Sequence, residues 1–268
     1  MSATNETTPI TERMRKATHD VHETSDKLVN LKLAMVITSK PLYAEAISLF
    51  WPIYRELETL IEKHKDDSRL SAIYPLLPIL QRAALFEKDM ISLLENDEKA
   101  AELLKARRIR TDENGKETFS PPELQTYINH LRKLSEEQPI LLIPYIYSMY
   151  GAIMAGGTAI KRMVKRAFSL KTDGGVEMFG IPLEGSDYKN VKEFRNDMKS
   201  KLEDEMELTA EEEVLILEEA PKVFIRNNAL VATATDTEVF LNAWKKCRGY
   251  AGIAVAISIG IVLAVYYK

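Results

Sequence analysis

Apolar positions recur every three or four residues along most of this chain, the period of an amphipathic helix, and few stretches alternate as strands do. Met14, Thr18, Val21, Ser25 and Leu28 form the first such stripe. "PLYAEAISLFWPIYRELETLIEKH" predicts a second helix, bent at Pro52, and "PILQRAALFEKDMISLLENDEKAAELLKA" a third. The segment "RRIRTDENGKETFSPP" breaks the period and reads as a loop. Asn114-Gly115 signals a turn there, and Ser120 before Pro121-Pro122 suits the N-cap of the next helix. That helix, "ELQTYINHLRKLSEEQ", is followed by a longer one containing "MYGAIMAGGTAI". A glycine-rich connector, "KTDGGVEMFGIPLEGSD", then precedes two more helices, the last kinked by Pro221. No repeat or change of composition divides this part. The pattern predicts an all-α fold, with a disordered segment at residues 1–10 and a single multi-helix domain over residues 11–246.

Residues 249–267 break from this pattern: "GYAGIAVAISIGIVLAVYY" carries no charge. Nineteen helical residues at about 1.5 Å each span roughly 28 Å, close to the ~30 Å hydrocarbon core of a bilayer. Lys245, Lys246 and Arg248 flank it, and Tyr250, Tyr266 and Tyr267 suit membrane interfaces. The expectation is a C-terminal transmembrane tail anchor, with the preceding domain facing the cytosol. Cys247, beside it, is a candidate for palmitoylation or a plain thiol.

Composition narrows the function classes. A net charge of -4 argues against general nucleic-acid binding, which favours a basic face. One cysteine excludes a disulfide framework and any site built from several thiolates. The first twenty residues contain no apolar stretch of the kind that marks a secretory leader.

Four histidines remain as candidate ligands: His19, His22, His64 and His130. His64, in "EKHKDD", and His130, on a polar-faced helix, read as surface residues. His22 borders the first apolar stripe, with Asp26 at i+4 on the same face. A ligating histidine commonly donates its second ring nitrogen to a carboxylate, which fixes tautomer and orientation. The second candidate feature is "MYGAIMAGGTAI". Gly151, Gly156 and Gly157 each cost roughly 0.5–1 kcal/mol relative to alanine inside a helix. With Ala152 and Ala155 they strip side chains from one helical segment. That permits either close helix packing or the approach of a large flat ligand to the backbone.

These motifs together carry a resemblance to the haem oxygenases, and more specifically to the insect form of that family. "RKATHDVHETSD" is similar to the family's first-helix pattern, and "YPLLPILQRAALFEKDM" to a later helix. "SPPELQTYINHLRKLSEEQPILLIPYIYSMYGAIMAGGTAIKRMVKRAF" resembles the family's tyrosine-rich helix running into a glycine-rich distal helix. "FGIPLEGSDYKNVKEFRNDM" and "KVFIRNNALV" resemble its propionate-binding and last core helices.

The resemblance implies that haem b is both substrate and cofactor, sandwiched between the His22 helix and the helix of Gly151, Gly156 and Gly157. His22 would be the metal ligand, with Asp26 as its carboxylate partner. Arg15, His19, Tyr147, Lys192 and Arg195 would meet the propionates, and Phe224 the ring. Ala152, Ile153 and Gly156 would line the site of reaction, leaving room for dioxygen over the ring. Products would be biliverdin, carbon monoxide and ferrous iron, with electrons from NADPH through a partner cytochrome reductase. The basic run Lys161, Arg162, Lys165 and Arg166 would suit that partner or simply face solvent. The implied location is the cytosolic face of the endoplasmic reticulum membrane. Vertebrate and bacterial members carry Gly-Asp where this chain has Ala152 and Ile153. Ile153 can neither accept nor donate a hydrogen bond, so slower or less regioselective ring opening is expected. That substitution also keeps open a haem-binding protein that does not degrade haem. From the helices alone, a tail-anchored interaction module without cofactor also stays open.

Overall fold

The computed structural model describes residues 8–67, 70–206 and 208–235. The tail-anchor segment, Cys247 and residues 1–7 lie outside them. Among the described residues, eleven α-helices surround one hydrophobic core, with short 3-10 turns and one small hairpin.

The first apolar stripe divides into α1 (Ile10–Ala17) and α2 (His19–Val36), hinged at Thr18. The Thr18 hydroxyl donates to the Met14 carbonyl at 2.9 Å, competing locally with regular helical bonding. Ile10, placed by sequence in the disordered segment, starts α1 and is buried. The second predicted helix is also two, α3 (Lys40–Ser48) and α4 (Trp51–Lys63). The break falls at Leu49–Phe50. Pro52 sits in the first turn of α4, where a missing N–H leaves no helical bond unmade.

The third predicted helix is three: α5 (Leu77–Leu80), α6 (Ala83–Leu93) and α7 (Glu98–Arg108). Glu58 of α4 caps α6 by accepting from the Arg82 and Ala83 amides. Glu95 and Asn96 adopt left-handed φ of 60° and 62°, and Asp97 caps α7 by accepting from the Ala100 amide. The predicted loop is an antiparallel hairpin, β1 (Ile109–Thr111) with β2 (Glu117–Phe119), closed over Asn114-Gly115. Ser120 is not the cap of α8 (Pro122–Glu137). Pro121 holds that position, without a side-chain cap, and Gln125 instead accepts from the Phe119 amide.

The long helix α9 (Ile143–Ala167) runs through the centre. With the turn before it, α9 is long and apolar enough to cross a membrane by composition, yet 67% of its most apolar stretch is buried inside this fold. It packs on α10 (Val191–Asp204) and α11 (Ala210–Ala232). A full capping box at Thr209 and Glu212 starts α11, which continues through Pro221 as one helix. The same α11 packs along α2, so one helix supports both α2 and α9.

Candidate active site: a histidine and a wall of small residues on either side of one helix

His22 lies on the second turn of α2. Its Nδ1 is 3.2 Å from Asp26 Oδ2, the i+4 pairing expected from sequence. Both side chains are more than half exposed, and Nε2 has no hydrogen-bond partner among the described residues. The imidazole is flanked by Phe224 of α11, ring centroids 5.2 Å apart. One turn further along α11, Asn227 donates to the Met149 sulfur of α9 at 3.3 Å. Phe224 and Asn227 therefore fix α2 and α9 relative to each other through a single helix.

On α9, Ser148, Gly151, Ala152, Ala155 and Ala159 fall on one exposed or half-buried face with no long side chain. At Gly151 and at Gly156 no heavy atom lies within 4 Å of where a Cβ would stand. These two glycines leave space that nothing among the described residues fills. Gly157 is different, and corrects the expectation that it lines the same wall. It is buried, and a Cβ there would meet Phe179 at 3.3 Å, so its smallness serves packing against the connector.

Ile153 stands beside the open face, not on it. It is 8% exposed and, with Met154, Thr158, Phe179, Ile181 and Val191, lines a cavity of about 380 Å3. Behind α9 lies a layer of buried tyrosines. Tyr54 donates to the Met149 carbonyl at 3.1 Å, and Tyr127 donates to Asn227 Oδ1 at 3.0 Å. Burial raises the Tyr54, Tyr127 and Tyr150 phenols well above their ordinary range, so all three stay protonated as donors. Among the described residues, the Tyr150 hydroxyl and Arg82 Nε are buried without a partner.

The cationic residues expected at the ligand's edge divide into two groups. Arg15, Lys192 and Arg195 are exposed and make no ion pair among the described residues. They stand on α1 and α10, which pack together, and α10 packs on α9 as well. His19 turns instead to its neighbour Asp20, at 3.1 Å, with most of its ring exposed. Tyr147 is half-buried on α9. Lys161 and Lys165 both bind Asp173 at 2.7 Å, leaving Arg162 and Arg166 as the exposed cations of that run.

His130, read from sequence as a surface residue, is part of a buried junction. Its Nε2 and the Tyr145 hydroxyl both donate to Glu219 Oε1, at 2.6 and 2.7 Å, and Lys222 donates to Oε2 at 2.9 Å. Burial pushes the Glu219 carboxyl up, but these donors outweigh it and hold it down at about 2. No local signal marked this group, because its members come from α8, α9 and α11. His64 likewise bonds Ser135, at 2.7 Å.

The residues present suit a large planar ligand bearing a metal and carboxylates. A free imidazole nitrogen, a side-chain-free wall and unpaired cations at the rim are the donor set such a ligand needs. The fold and site thus define a helical protein in which one helix, α11, carries contacts both to a histidine on α2 and to the small-residue helix α9. A family model described as Heme oxygenase matches residues 8–233, and the chain belongs to that family. Heme oxygenase 1 of Gallus gallus is 25% identical over 222 residues, covering 81% of this chain and 67% of that protein. Heme oxygenase 2 of Synechocystis is 23% identical over 201 residues, covering 73% and 72%. The solved structure of heme oxygenase 2 from Chlamydomonas reinhardtii without heme superposes with a TM-score of 0.71 at 25% identity, covering 84% of this chain and 97% of that one. Heme oxygenase-1 from Synechocystis in complex with heme shares the fold, at a TM-score of 0.68 and 19% identity over 97% of this chain and all of the other.

Proposed function

We infer that this protein is a haem oxygenase that opens the porphyrin of haem to biliverdin, carbon monoxide and ferrous iron. Haem, when bound, supplies the iron at which dioxygen is reduced. The single observation that carries the reading is the pairing of His22, its Nε2 free, with the space above Gly151 and Gly156, both walls held by α11. Asp26, 3.2 Å from Nδ1, is placed to accept from it when haem binds, which directs Nε2 to the metal. Arg15, Lys192 and Arg195 bind the propionates, an assignment supported by their exposure and by their making no ion pair among the described residues. Ala152 and Ala155 leave the ring in contact with backbone.

Ile153 holds no proton, so protons reach the distal side through other groups. The polar groups behind α9 are Tyr54, Glu58, Arg82 and Tyr150, which are electrostatically coupled. Of these, Tyr150 and Arg82 retain a free donor. Ring opening through this route is slower, or less selective among meso carbons, than with an acid on α9. The same substitution favours a second reading, a haem-binding protein that does not turn haem over.

Electrons come from NADPH through a cytochrome reductase whose acidic face docks on Arg162 and Arg166. Residues 249–267 anchor the enzyme in the endoplasmic reticulum membrane from its cytosolic side, where such a reductase is also held. Haem titration of the full chain in detergent tests the site. One haem per chain with a Soret band lost in His22→Ala supports it; an unchanged band in that variant refutes the ligand assignment.

A further inference from the structure

Asp89 of α6 is fully buried, and no part of the proposed chemistry uses it. Its Oδ1 accepts from the amides of Gly175 and Glu177 at 2.9 and 2.8 Å, and its Oδ2 from Met178 at 2.9 Å. Three backbone donors on one carboxylate tie the glycine-rich connector to α6. The connector lies so close that side chains are excluded. A Cβ on Gly174 would meet Ser92 Oγ at 2.5 Å, and one on Gly175, whose φ is +94°, would meet Leu93 at 2.9 Å. Met178 is buried beneath, and the next residue, Phe179, packs onto Gly157 of α9. Phe179 and Ile181 then form the cavity wall facing Ile153 and Met154.

We propose that Asp89 is a positioning residue for the distal side. By clamping the amides of Gly175, Glu177 and Met178 it sets Phe179 against Gly157, and so helps determine which meso carbon is presented for cleavage. The proposal rests on the haem oxygenase reading for its second half only. Where no acid on α9 directs the reaction, the shape of the wall beside it becomes the remaining source of selectivity. That wall is built on Phe179, and Phe179 is built on Asp89.

Two measurements on the full chain test this. In the haem-free protein, amide hydrogen exchange at Gly175, Glu177 and Met178 should quicken at least ten-fold in Asp89→Asn. That variant keeps the volume but turns one acceptor into a donor facing an amide. Unchanged protection overturns the clamp, whatever the protein does with haem. Second, the biliverdin isomer ratio should shift in Asp89→Asn and in Gly157→Ala, which reaches Phe179 from the other side. The double variant should shift no further than the larger single effect. Leu104→Ala, a core truncation on α7, serves as the control for general destabilisation and should leave the ratio unchanged. An unaltered ratio in Asp89→Asn, or an equal shift in Leu104→Ala, overturns the positioning role. No biliverdin from the unmodified chain would instead refute the haem oxygenase reading, and with it the selectivity half, while the exchange result still decides the clamp.

Discussion

The imidazole of His22 and the ring of Phe224 stand 5.2 Å apart, tilted by 55°, joining α2 to α11. Asp26 Oδ2 lies 3.2 Å from Nδ1, so the imidazole has one aromatic contact and one carboxylate neighbour. Asp26→Ala should weaken haem binding by roughly 10–100-fold, the usual effect of losing a partner to a metal-ligating histidine. Haem titration measures it. An affinity equal to that of the unmodified protein would show that Asp26 does not orient His22.

The glycines of α9 should separate by role. Gly151→Leu removes a helix-interior glycine where an added Cβ meets no described neighbour within 4 Å, so it should raise stability by roughly 0.5–1 kcal/mol. The same leucine should abolish haem binding by filling the space over the ring. Gly157→Ala should bind haem but gain less stability, because its methyl meets Phe179 at 3.3 Å. Thermal melts and Soret titrations read both effects; haem binding intact in Gly151→Leu would place the ligand elsewhere.

Restoring an acid at Ile153 should fail as a single change. The site is 8% exposed, and the cations lining the same cavity are already engaged: Lys161 and Lys165 hold Asp173, and Arg162 donates to the Thr158 carbonyl, so a new carboxyl among Met154, Phe179 and Ile181 must compete for a partner. Ile153→Asp should lose at least about 2 kcal/mol of stability. Denaturant titration checks this, and a variant as stable as the parent would mean that Lys161, Arg162 or Lys165 turns to pair with the new carboxyl. The parent itself should yield more than one biliverdin isomer.

The Glu219 junction gives a pH dependence with a definite sign. Its carboxyl is held at about 2 in the folded chain against an ordinary 4.5. The stabilisation, on the order of a few kcal/mol, is therefore fully present above pH about 4.5 and is lost as pH falls toward about 2. Glu219→Gln should be less stable than the parent at neutral pH, and the gap should close through that window. Parallel acid-unfolding curves for the two proteins would show that the junction does not contribute.

Much of this was legible in the sequence because it is local. The His22–Asp26 spacing, the glycines of α9 and the apolar stripes each lie within a few turns of chain. Helix breaks were harder to see where the apolar period ran on through them. Thr18 interrupts by a side-chain bond to Met14, and Glu95 and Asn96 by left-handed backbone that the period does not register. The hairpin at 109–119 has strands of three residues, too short to show alternation. What the sequence concealed is tertiary. Gly157 looked like its neighbours until Phe179 arrived from the connector, and His130 looked superficial until Glu219 and Tyr145 met it from two other helices. Asp89 gave no signal at all, since its three partners are backbone amides some 86 to 89 positions away.

The central claim is turnover, and it has one direct test. The full chain in detergent is loaded with one equivalent of haem, then supplied with dioxygen, NADPH and a cytochrome reductase. The account predicts that the Soret band decays while biliverdin and carbon monoxide appear in proportion to the haem consumed. A haem spectrum that persists, with neither product formed, would contradict it and leave a protein that binds haem without opening it.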